Sequence, residues 1–410
     1  MKKNNIVAVL DVGSAKVCCC IADVSKENFK MLGVGYCACV GVKSGIIVDM
    51  KSVERSIAKA VEVAERMANF TVRSVYVNIS GRNVLSRIVT ITMNLGGRIV
   101  YEEDLAHLLT HCNEEDESSE VIHSVSILYC VDSLNCIKDP VGMMANQLSV
   151  SVNLVTAPKS QLHNLLICLA RCHLEVIGVV ASGYASGLCL TEENDSQDNQ
   201  IVVDFGGGTT TIAFFYKGIF CGLESIALGG EHITADVAYG LNISTTNAER
   251  LKTLHGAAFT SITDNRDMIF APVIEDDDVI NLQQIPKSAL NQIIQPRIEE
   301  ILGLVKKKID DSLFGPDFSR CVAITGGGSV MAGLRDLASG LLNKKIRFKK
   351  IDDFLDGSDV QIGNNFSVAL GMVKFAQLSD RLLVKTKSSA SGNKKAGFFR
   401  KTMNWVENNL

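Results

Sequence analysis

The sequence has no excess of basic charge and no long uncharged apolar run. Its 410 residues carry 41 Lys plus Arg against 45 Asp plus Glu, a formal net charge of -4. A nucleic-acid-binding protein usually has a basic surface over a whole domain, so we expect no nucleic-acid partner. Even the most apolar helix candidate, residues 161–181, is interrupted by Arg171 and Glu175, so we expect no membrane-spanning helix.

The sequence also lacks a Cys-x-x-Cys pair, although it contains 13 cysteines. Three of them form a run at residues 18–20 in a strand-like segment, where cysteine acts as a small hydrophobic side chain. We expect buried, reduced thiols rather than a metal or redox site. Asp11 and Lys16 interrupt the first apolar stretch before it reaches the length of a secretory leader, so we predict a cytoplasmic protein.

The composition is that of a folded protein with an unusual end. With 47% hydrophobic and 21% charged residues, the chain is long enough for two to three domains at about 150 residues each. Residues 381–410 hold seven basic residues and one acidic residue, a net +6, which leaves -10 for residues 1–380. The one tryptophan, Trp405, lies in this basic tail.

Alternating strand and helix patterns predict an α/β protein. Apolar runs at residues 6–11 and 16–23, separated by a glycine turn, predict a buried β-hairpin. Residues 51–68 carry one apolar stripe, which predicts a helix packed on a sheet, and a strand is expected at 75–79.

From about residue 84 to 157 the pattern changes to a small inserted α+β subdomain. Its strands are expected at residues 88–93, 125–131 and 148–155. They surround an acidic stretch predicted to be helical from 102 to 120. Residues 160–172 are again predicted to be a helix, and the polar segment 191–200 is predicted to be a loop between lobes.

Two segments repeat one pattern. Residues 9–14 and 202–207 each run from an apolar strand through Asp and an apolar residue to Gly and a small residue. Two copies of one hairpin predict two similar lobes that face each other. A third glycine cluster, at 322–329, follows another short strand and precedes a helix near Leu334.

These turns are typical of a nucleotide site. A glycine turn lets backbone N–H groups approach phosphate oxygens and supplies partial positive charge. Asp11 and Asp204 would repel phosphate unless a hydrated Mg²⁺ lay between them, because Mg²⁺ keeps several waters and needs few carboxylates. Lys16 is the candidate countercharge for the phosphates.

The order of the motifs resembles the actin-like ATPases, and the chain resembles the FtsA family of bacterial cell-division proteins over nearly its whole length. The two phosphate motifs and the adenosine motif of that family are similar to Leu-Asp-Val-Gly-Ser-Ala-Lys-Val at 10–17, Val-Asp-Phe-Gly-Gly-Gly-Thr at 203–209 and Ile-Thr-Gly-Gly-Gly-Ser at 324–329. Further agreement lies in Lys-Ser-Gly at 43–45, Asn-Ala-Glu-Arg-Leu-Lys at 247–252, His-Gly-Ala at 255–257 and Gln-Pro-Arg at 295–297.

The resemblance implies an actin-like two-lobed fold made of duplicated ribonuclease H-like domains, with an FtsA-type inserted subdomain and a C-terminal amphipathic helix. The expected divisions are subdomain 1A at 1–83, completed by 158–195 and 363–384; inserted subdomain 1C at 84–157; subdomain 2A at 196–226, completed by 309–362; subdomain 2B at 227–308; a flexible linker at 385–393; and a membrane-targeting helix at 394–410.

The resemblance also implies roles for individual residues. Asp11 and Asp204 would flank Mg-ATP, with Mg²⁺ bound through water. The expected phosphate contacts are Gly13, Ser14, Lys16, Gly206, Gly207, Gly208 and Thr209, and the residues expected to border the adenosine are Gly326, Gly327 and Gly328. Glu249 and Lys252, three residues apart on one helix, would reach the ribose and base; the alternative is an exposed ion pair.

One position departs from the family pattern Gly-Gly-Gly-Thr-x-Asp. This chain has Thr211 where the family usually has Asp, which removes a carboxylate near the phosphates. The sequence identifies no general base or water-positioning residue, so the catalytic residue is unknown. We expect ATP binding with at most slow hydrolysis.

The basic tail predicts a helix that lies on a membrane surface. At about 100° per residue, the apolar side chains fall on one side of the helix. The residues expected to contact the membrane are Phe398, Phe399, Arg400, Lys401, Met403, Trp405, Val406 and Leu410. A tethered basic helix with aromatic residues on one face is typical of an anchor at anionic lipids, and the FtsA family has this layout. The alternative is a helix that docks on its own body or on a partner protein.

The resemblance finally implies partners. The body would polymerise head to tail in its ATP form, bind the C-terminal tail of FtsZ through residues 227–308, tether FtsZ filaments to the inner face of the cytoplasmic membrane at the septum, and help recruit later divisome proteins. Arg297 is the candidate FtsZ contact, and a plain solvated or capping charge is its alternative. An actin-like ATPase of pilus or secretion assembly and a small-molecule kinase on the same fold are the other functions considered.

Overall fold

The structure is a computed structural model, and it describes residues 5–26, 28–110, 118–132, 134–191, 198–274, 280–348 and 363–387. The strands are β1 Ile6–Val12, β2 Lys16–Asp23, β3 Lys30–Ala38, β4 Val42–Lys43, β5 Ile46–Ile47, β6 Ser74–Ile79, β7 Leu85–Ile99, β8 Ser119–Val131, β9 Leu134–Ile137, β10 Met144–Pro158, β11 Glu175–Ala181, β12 Gln200–Phe205, β13 Thr210–Tyr216, β14 Ile219–Ile226, β15 Met268–Ile274, β16 Ile280–Pro286, β17 Cys321–Thr325 and β18 Lys345–Arg347. The helices are α1 Met50–Ala68, α2 Glu102–Thr110, α3 Lys159–Arg171, α4 Ser182–Leu190, α5 Gly230–Gly240, α6 Thr245–His255, α7 Lys287–Asp310, α8 Leu334–Leu342 and α9 Ser367–Lys387.

Two five-stranded sheets share one topology. Their strand orders are β11-β6-β1-β2-β3 and β18-β17-β12-β13-β14. In each sheet three consecutive strands pair antiparallel, and the first of the three pairs in parallel with a later strand, β6 or β17. The two similar lobes predicted from the repeated motif are therefore confirmed in strand order.

The first sheet is buried on both faces, which explains why β1 and β2 are almost continuously apolar. Leu10 and Cys19 point to the side covered by α1 and α3, whereas Val9, Cys18 and Cys20 point to the side covered by α9. The three cysteines are fully buried, as their strand position predicts. In the described part of the chain, no group of three His, Cys, Asp or Glu side chains is placed to hold a metal ion.

Helix α1 confirms the predicted amphipathic stripe. The Asp49 side chain caps its first turn by accepting the Ser52 N–H at 3.3 Å, and Asn69 ends it in a left-handed conformation. Its buried residues are Val53, Ser56, Ile57, Ala60, Val61 and Ala64. This stripe packs on the face of the first sheet to which Leu10 of β1 points, next to Asp11.

The inserted subdomain is a sheet in the order β7-β10-β8-β9 with one short helix. The predicted helix from 102 to 120 is wrong at its end: α2 spans Glu102–Thr110, residues 111–117 lie outside the described residues, and Ser119 and Glu120 belong to β8. Strand β8 pairs with β10 as far as the Ser119–Pro158 pair. The helical prediction failed there because strand formation depends on β10, which lies more distant in the sequence.

The second lobe carries α5, α6, α7 and a two-stranded sheet of β15 and β16 beyond its main sheet. Helix α7 buries an apolar side against this lobe, including Ile294, Ile298 and Ile301. Pro296 lies inside α7. Arg297 follows Pro296 at the edge of this buried side, where its side chain is partly exposed and pairs with Asp236 of α5.

Helix α9 returns the chain to the first lobe. Ala369, Leu370 and Val373 pack in the cluster that contains Val9 of β1. The helix continues to Lys387, so the predicted linker at 385–393 is corrected at its start, where residues 385–387 are helical. Between Met372 and Lys387 the sequence has no glycine or proline that would end the helix earlier.

The predicted membrane contacts lie outside the described residues. They are Phe398, Phe399, Arg400, Lys401, Met403, Trp405, Val406 and Leu410. Among the helices of the described ranges, none is long and apolar enough to cross a membrane.

Candidate functional site

Each lobe ends the first strand of its repeated hairpin in the same tight turn. The Gly13 N–H donates to the Lys16 carbonyl at 2.9 Å, and the Gly206 N–H donates to the Thr209 carbonyl at 3.0 Å. In both lobes the aspartate lies two residues before the first glycine, at the end of the strand. The predicted pair of glycine turns is therefore matched in hydrogen bonding as well as in sequence.

The two turns contact each other where the lobes meet. A β-carbon on Gly207 would lie 2.7 Å from the Ala15 β-carbon. A β-carbon on Gly208 would overlap Ser14 Oγ and lie 2.9 Å from the Ser44 backbone nitrogen. Only glycine fits at these positions, because any side chain would separate the lobes. The structure thus brings the first and second predicted phosphate motifs together.

Asp11 and Asp204 are buried beside these turns, each 7% exposed. Burial raises the pKa of Asp11 to about 6, an effect that nearby Lys16 partly offsets. Burial and then the charge of Asp11 raise the pKa of Asp204 to about 7, again against the effect of Lys16. Two buried carboxylates that repel each other fit a site that receives a cation.

Lys16 carries a buried ammonium group. Its Nζ makes no hydrogen bond within the described residues and lies 3.6 Å from the centroid of the Phe366 ring. A ring face attracts a cation but leaves its three N–H donors without acceptors. Since an unpaired buried charge is costly, Lys16 fits a site for an anion such as phosphate.

The third glycine motif lies against the second aspartate. Gly326 has φ of +88°, and a β-carbon there would overlap Asp204 Oδ1. The Gly326 N–H donates to the Asn364 carbonyl at 3.3 Å. The turn Asn364–Phe366 therefore joins this motif to the Phe366 ring above Lys16. Gly327 and Gly328 continue from Gly326 in a short 3-10 turn.

Glu249 and Lys252 pair with each other on α6. Lys252 Nζ donates to Glu249 Oε2 at 2.6 Å, to the Gly230 carbonyl at 3.1 Å and to Thr234 Oγ1 at 2.8 Å. Burial raises the pKa of Glu249, but attraction to Lys252 and hydrogen bonds outweigh it and lower the pKa overall. Gly230 in turn donates to the Gly206 carbonyl at 3.0 Å. The pair is thus linked to the second turn, and its contact with ribose and base stays a prediction.

Arg297 is held within the chain. Its Nε and Nη2 donate to the two carboxylate oxygens of Asp236 at 2.6 and 3.0 Å, and Nη1 donates to Glu300. The hydrogen bonds and the charge of Asp236 raise the pKa of Arg297. Its side chain is 27% exposed, so part of the guanidinium faces solvent while its planar edge binds Asp236.

The sequence pattern did not identify Asn78 and Ser182 as site residues. Asn78 Nδ2 donates to Asp11 Oδ1 at 2.7 Å and to Ser182 Oγ at 3.0 Å. An asparagine inside a buried strand was the available signal, because Asn is depleted in strands and needs polar partners when buried. Thr211, at the position that departs from the family pattern, is buried and its Oγ1 has no hydrogen-bond partner within the described residues.

Comparison with known families gives two matches. A model described as cell division protein FtsA matches residues 201–371, and a model described as the SHS2 domain inserted in FtsA matches residues 81–156. The chain is 34% identical to the cell division protein FtsA of Rhizobium meliloti (strain 1021) over 404 residues, which covers 95% of this chain and 91% of that protein.

Solved structures share the fold at low sequence identity. A PilM–PilN type IV pilus biogenesis complex superposes with a TM-score of 0.64 at 14% identity, covering 90% of this chain and 98% of that chain. MreB5 of Spiroplasma citri bound to ADP superposes with a TM-score of 0.55 at 12% identity, covering 94% of this chain and 99% of that chain. These similarities, with the SHS2 match, confirm the predicted actin-like α/β fold with its inserted subdomain.

Proposed function

The chain belongs to the FtsA family of cell division proteins, and from this premise we propose that it binds Mg-ATP between its lobes and tethers FtsZ filaments to the membrane. The observation that carries the nucleotide site is the buried Lys16 ammonium, which has no hydrogen-bond partner among the described residues and lies beside two glycine turns in contact. MreB5, which shares the fold, was solved with ADP. A polyphosphate in this cleft would supply the acceptors that Lys16 lacks.

We assign the described residues of the site to Mg²⁺ and to the parts of ATP as follows. Asp11 and Asp204 would hold Mg²⁺ through water, and a bound cation would relieve the repulsion between their buried carboxylates. Lys16, Ser14 and the turn at 206–209 would contact the phosphates. The residues proposed to border the adenosine are Gly326, Gly327 and Gly328, and those proposed to reach the ribose and base are Glu249 and Lys252.

The same premise supports the proposed division of the chain into subdomains. The SHS2 match at 81–156 supports an inserted subdomain 1C at 84–157. The duplicated sheets support 1A and 2A as the two lobes, and β15, β16 and α5–α7 support 2B at 227–308. Helix α9 then connects subdomain 1A to the proposed linker and membrane helix.

Replacing Lys16 tests the nucleotide site. Lys16→Met should weaken ATP binding by at least about tenfold, because a charge-assisted phosphate contact is lost. The affinity is measured by titration with a fluorescent ATP analogue. Thermal unfolding of the nucleotide-free variant shows whether it keeps its fold, so that a lower affinity is assigned to the lost contact.

Lys43→Met is the matched control, since Lys43 is an exposed lysine on the neighbouring β4–β5 hairpin. It should leave ATP affinity within about twofold of the unaltered protein. Equal affinities for Lys16→Met and Lys43→Met would remove Lys16 from the site.

We propose that the tail, residues 394–410, holds the acidic body on an anionic membrane. Family membership and the amphipathic pattern of the tail support this proposal. Residues 1–380, with a net charge of -10, are repelled by anionic lipids, whereas residues 394–410 carry four basic residues and one acidic residue, a net +3, and are attracted. The protein would then lie as a peripheral protein on the inner face of the cytoplasmic membrane at the septum. Head-to-tail self-assembly and recruitment of later divisome proteins belong to the same proposal.

Co-sedimentation tests the tether directly. FtsZ is mixed with anionic vesicles, with and without this protein and ATP. The full chain should carry FtsZ into the vesicle pellet, and a chain lacking residues 394–410 should leave it in the supernatant. Trp405→Ala should reduce pelleting partly, since it removes one large apolar contact with the bilayer. FtsZ pelleting at full level with the truncated chain would contradict the tether.

We propose subdomain 2B, and Arg297 in particular, as the site for the FtsZ tail. Arg297→Ala should weaken binding of an FtsZ tail peptide, as measured by fluorescence anisotropy. Glu300→Gln is the matched control, because it removes the negative charge of one intrachain partner and leaves Arg297 and its bonds to Asp236 in place. Equal affinities of the two variants for the peptide would show that Arg297 only bonds within the chain and does not contact the FtsZ tail.

The other functions have less support. The similarity to the pilus complex is 14% in sequence and concerns the fold alone, whereas the FtsA relative is 34% identical over nearly the whole chain. No observation specifically favours a small-molecule kinase. Cell division is therefore the function proposed here.

A further inference from the structure

We propose that Asn78 is a positioning residue that fixes the Asp11 carboxylate toward the metal of a bound nucleotide, an inference that rests on the nucleotide site proposed above. Asn78 lies on β6, is 3% exposed, and uses its whole amide group. Nδ2 donates to Asp11 Oδ1 at 2.7 Å and to Ser182 Oγ at 3.0 Å, and Oδ1 accepts the Val12 N–H at 2.6 Å.

The chemistry of these partners fixes the orientation of the amide. Val12 offers only a donor, so it requires the amide oxygen, and the ionised Asp11 carboxylate offers only acceptors, so it requires the amide nitrogen. A flipped amide would place two acceptors together and two donors together. Asn78 therefore holds one carboxylate oxygen of Asp11 in one direction.

Asn78 is the first residue of β6 beyond the backbone pairing between β1 and β6. The parallel pairing of the two strands stops at the Leu10–Val77 pair. The next positions along the two strands are Asp11 and Asn78. There the side-chain amide of Asn78, instead of its backbone, bonds to β1: it contacts the Asp11 carboxylate and the Val12 N–H, just before the first glycine turn. The strand end and the carboxylate are thus held by the same group.

The second lobe provides an internal comparison. Its register pairs Asp204 with Thr325, the position equivalent to Asn78 in the duplicated sheet. The Thr325 hydroxyl donates to the Asn364 carbonyl at 3.3 Å rather than to Asp204. Among the described residues, Asp11 is hydrogen-bonded by a buried amide, and Asp204 has no equivalent side-chain donor. The two carboxylates are therefore held differently, and Asp11 is the fixed one.

A group that orients a metal-binding carboxylate affects binding of the metal complex more than binding of the free nucleotide. Loss of such a group typically costs about tenfold to hundredfold in metal affinity. Asn78→Ala should therefore reduce the ratio of ATP affinity in Mg²⁺ to ATP affinity in EDTA by about tenfold or more. The measurement is calorimetric titration of the full chain with ATP in each buffer.

Ser182→Ala is the matched control. Ser182 is equally buried and bonds to the same amide, but it does not bond to Asp11. It should lower the unfolding temperature like Asn78→Ala, yet keep the affinity ratio within about threefold, because the Asp11 bond is intact. Should Asn78→Ala fail to fold, Asn78→Ser replaces it, since its hydroxyl is small, polar and too short to bridge both partners.

The outcomes separate the two proposals. If the unaltered chain binds ATP and Asn78→Ala keeps its affinity ratio, or Ser182→Ala loses it equally, the positioning role is overturned and the nucleotide site stands. If the unaltered chain binds no ATP in either buffer, the nucleotide site is overturned, and the role of Asn78 with it.

Discussion

His123 joins the inserted subdomain to the first lobe through a neutral imidazole. It lies on β8, and its Nε2 accepts the Ala181 N–H at 3.0 Å. The ring is 5.1 Å from the Tyr184 ring and 5.6 Å from the Phe375 ring, in edge-to-face contacts. Because the ring is enclosed, burial lowers the pKa of His123 to about 3. Protonation would place a charge among aromatic rings and remove an acceptor.

This burial predicts sensitivity to mild acid. The unfolded chain takes up a proton near pH 6.5 and the folded chain only near pH 3, so the free energy of unfolding falls as pH drops below 6.5. This residue alone should lower it by about 1.4 kcal/mol at pH 5.5 relative to pH 7.5. The measurement is urea unfolding at both pH values.

His123→Gln is the control, because the Gln amide oxygen offers an acceptor to Ala181 without titrating. The variant should lose that part of the pH dependence. Burial raises the pKa of Tyr184 to about 12, so the neighbouring phenol stays neutral in this range. An identical pH dependence in the two proteins would show that His123 is not the group responsible.

At the scale of elements, α4 and α9 approach each other backbone to backbone. A β-carbon on Gly371 of α9 would overlap the carbonyl oxygen of Ala185 in α4. The Ala185 and Ala369 side chains are fully buried in the same cluster. This close packing fixes the helix that leads from the first lobe toward the C-terminal tail. Glycine is required here by the approach of the second helix, although it weakens α9 locally.

Gly371→Ala should therefore destabilise the protein by about 1–3 kcal/mol, because the added methyl group overpacks the helix contact. Gly303→Ala in α7 is the matched control, since a β-carbon there meets nothing within 4 Å. It should stabilise the protein by up to about 1 kcal/mol through helix propensity. Urea unfolding measures both, and shifts of the same sign would contradict the proposed packing.

At the scale of the whole molecule, the two lobes meet at their glycine turns. Gly207 and Gly208 pack on Ala15 and Ser14 of the opposite turn. Ser14 Oγ also accepts the Gly45 N–H at 3.1 Å, so the β4–β5 hairpin closes over the same contact. Bringing both phosphate motifs within reach of one ligand depends on this contact.

Gly208→Ala should hold the lobes apart, because the new methyl group would overlap Ser14 Oγ. Overpacking of about 1–3 kcal/mol that opposes closure corresponds to a loss of about fivefold to 150-fold in ATP affinity. Gly340→Ala in α8, where nothing lies within 4 Å of a β-carbon, should leave the affinity unchanged. Nucleotide titration measures both variants, with circular dichroism to check the fold; unaltered affinity in Gly208→Ala would show that closure does not depend on this contact.

Local patterns in the sequence determined many of the secondary-structure elements and turns of this protein. The apolar runs of β1 and β2, the stripe of α1 and the two Asp-x-Gly turns are short-range features, because hydrophobic period and turn chemistry act over a few residues. The repetition of one hairpin also determined the two similar sheets, since similar local sequences form similar units.

Contacts between distant residues were decided only by the tertiary structure. The start of β8 at Ser119 depends on its pairing with β10, so the local pattern wrongly predicted helix at Ser119 and Glu120. The Asn78 bond to Asp11 and the Phe366 ring above Lys16 join segments far apart in the chain. Sequence patterns report the preferences of neighbours, whereas burial, pKa shifts and hydrogen bonds within the cleft arise from which segments the fold brings together.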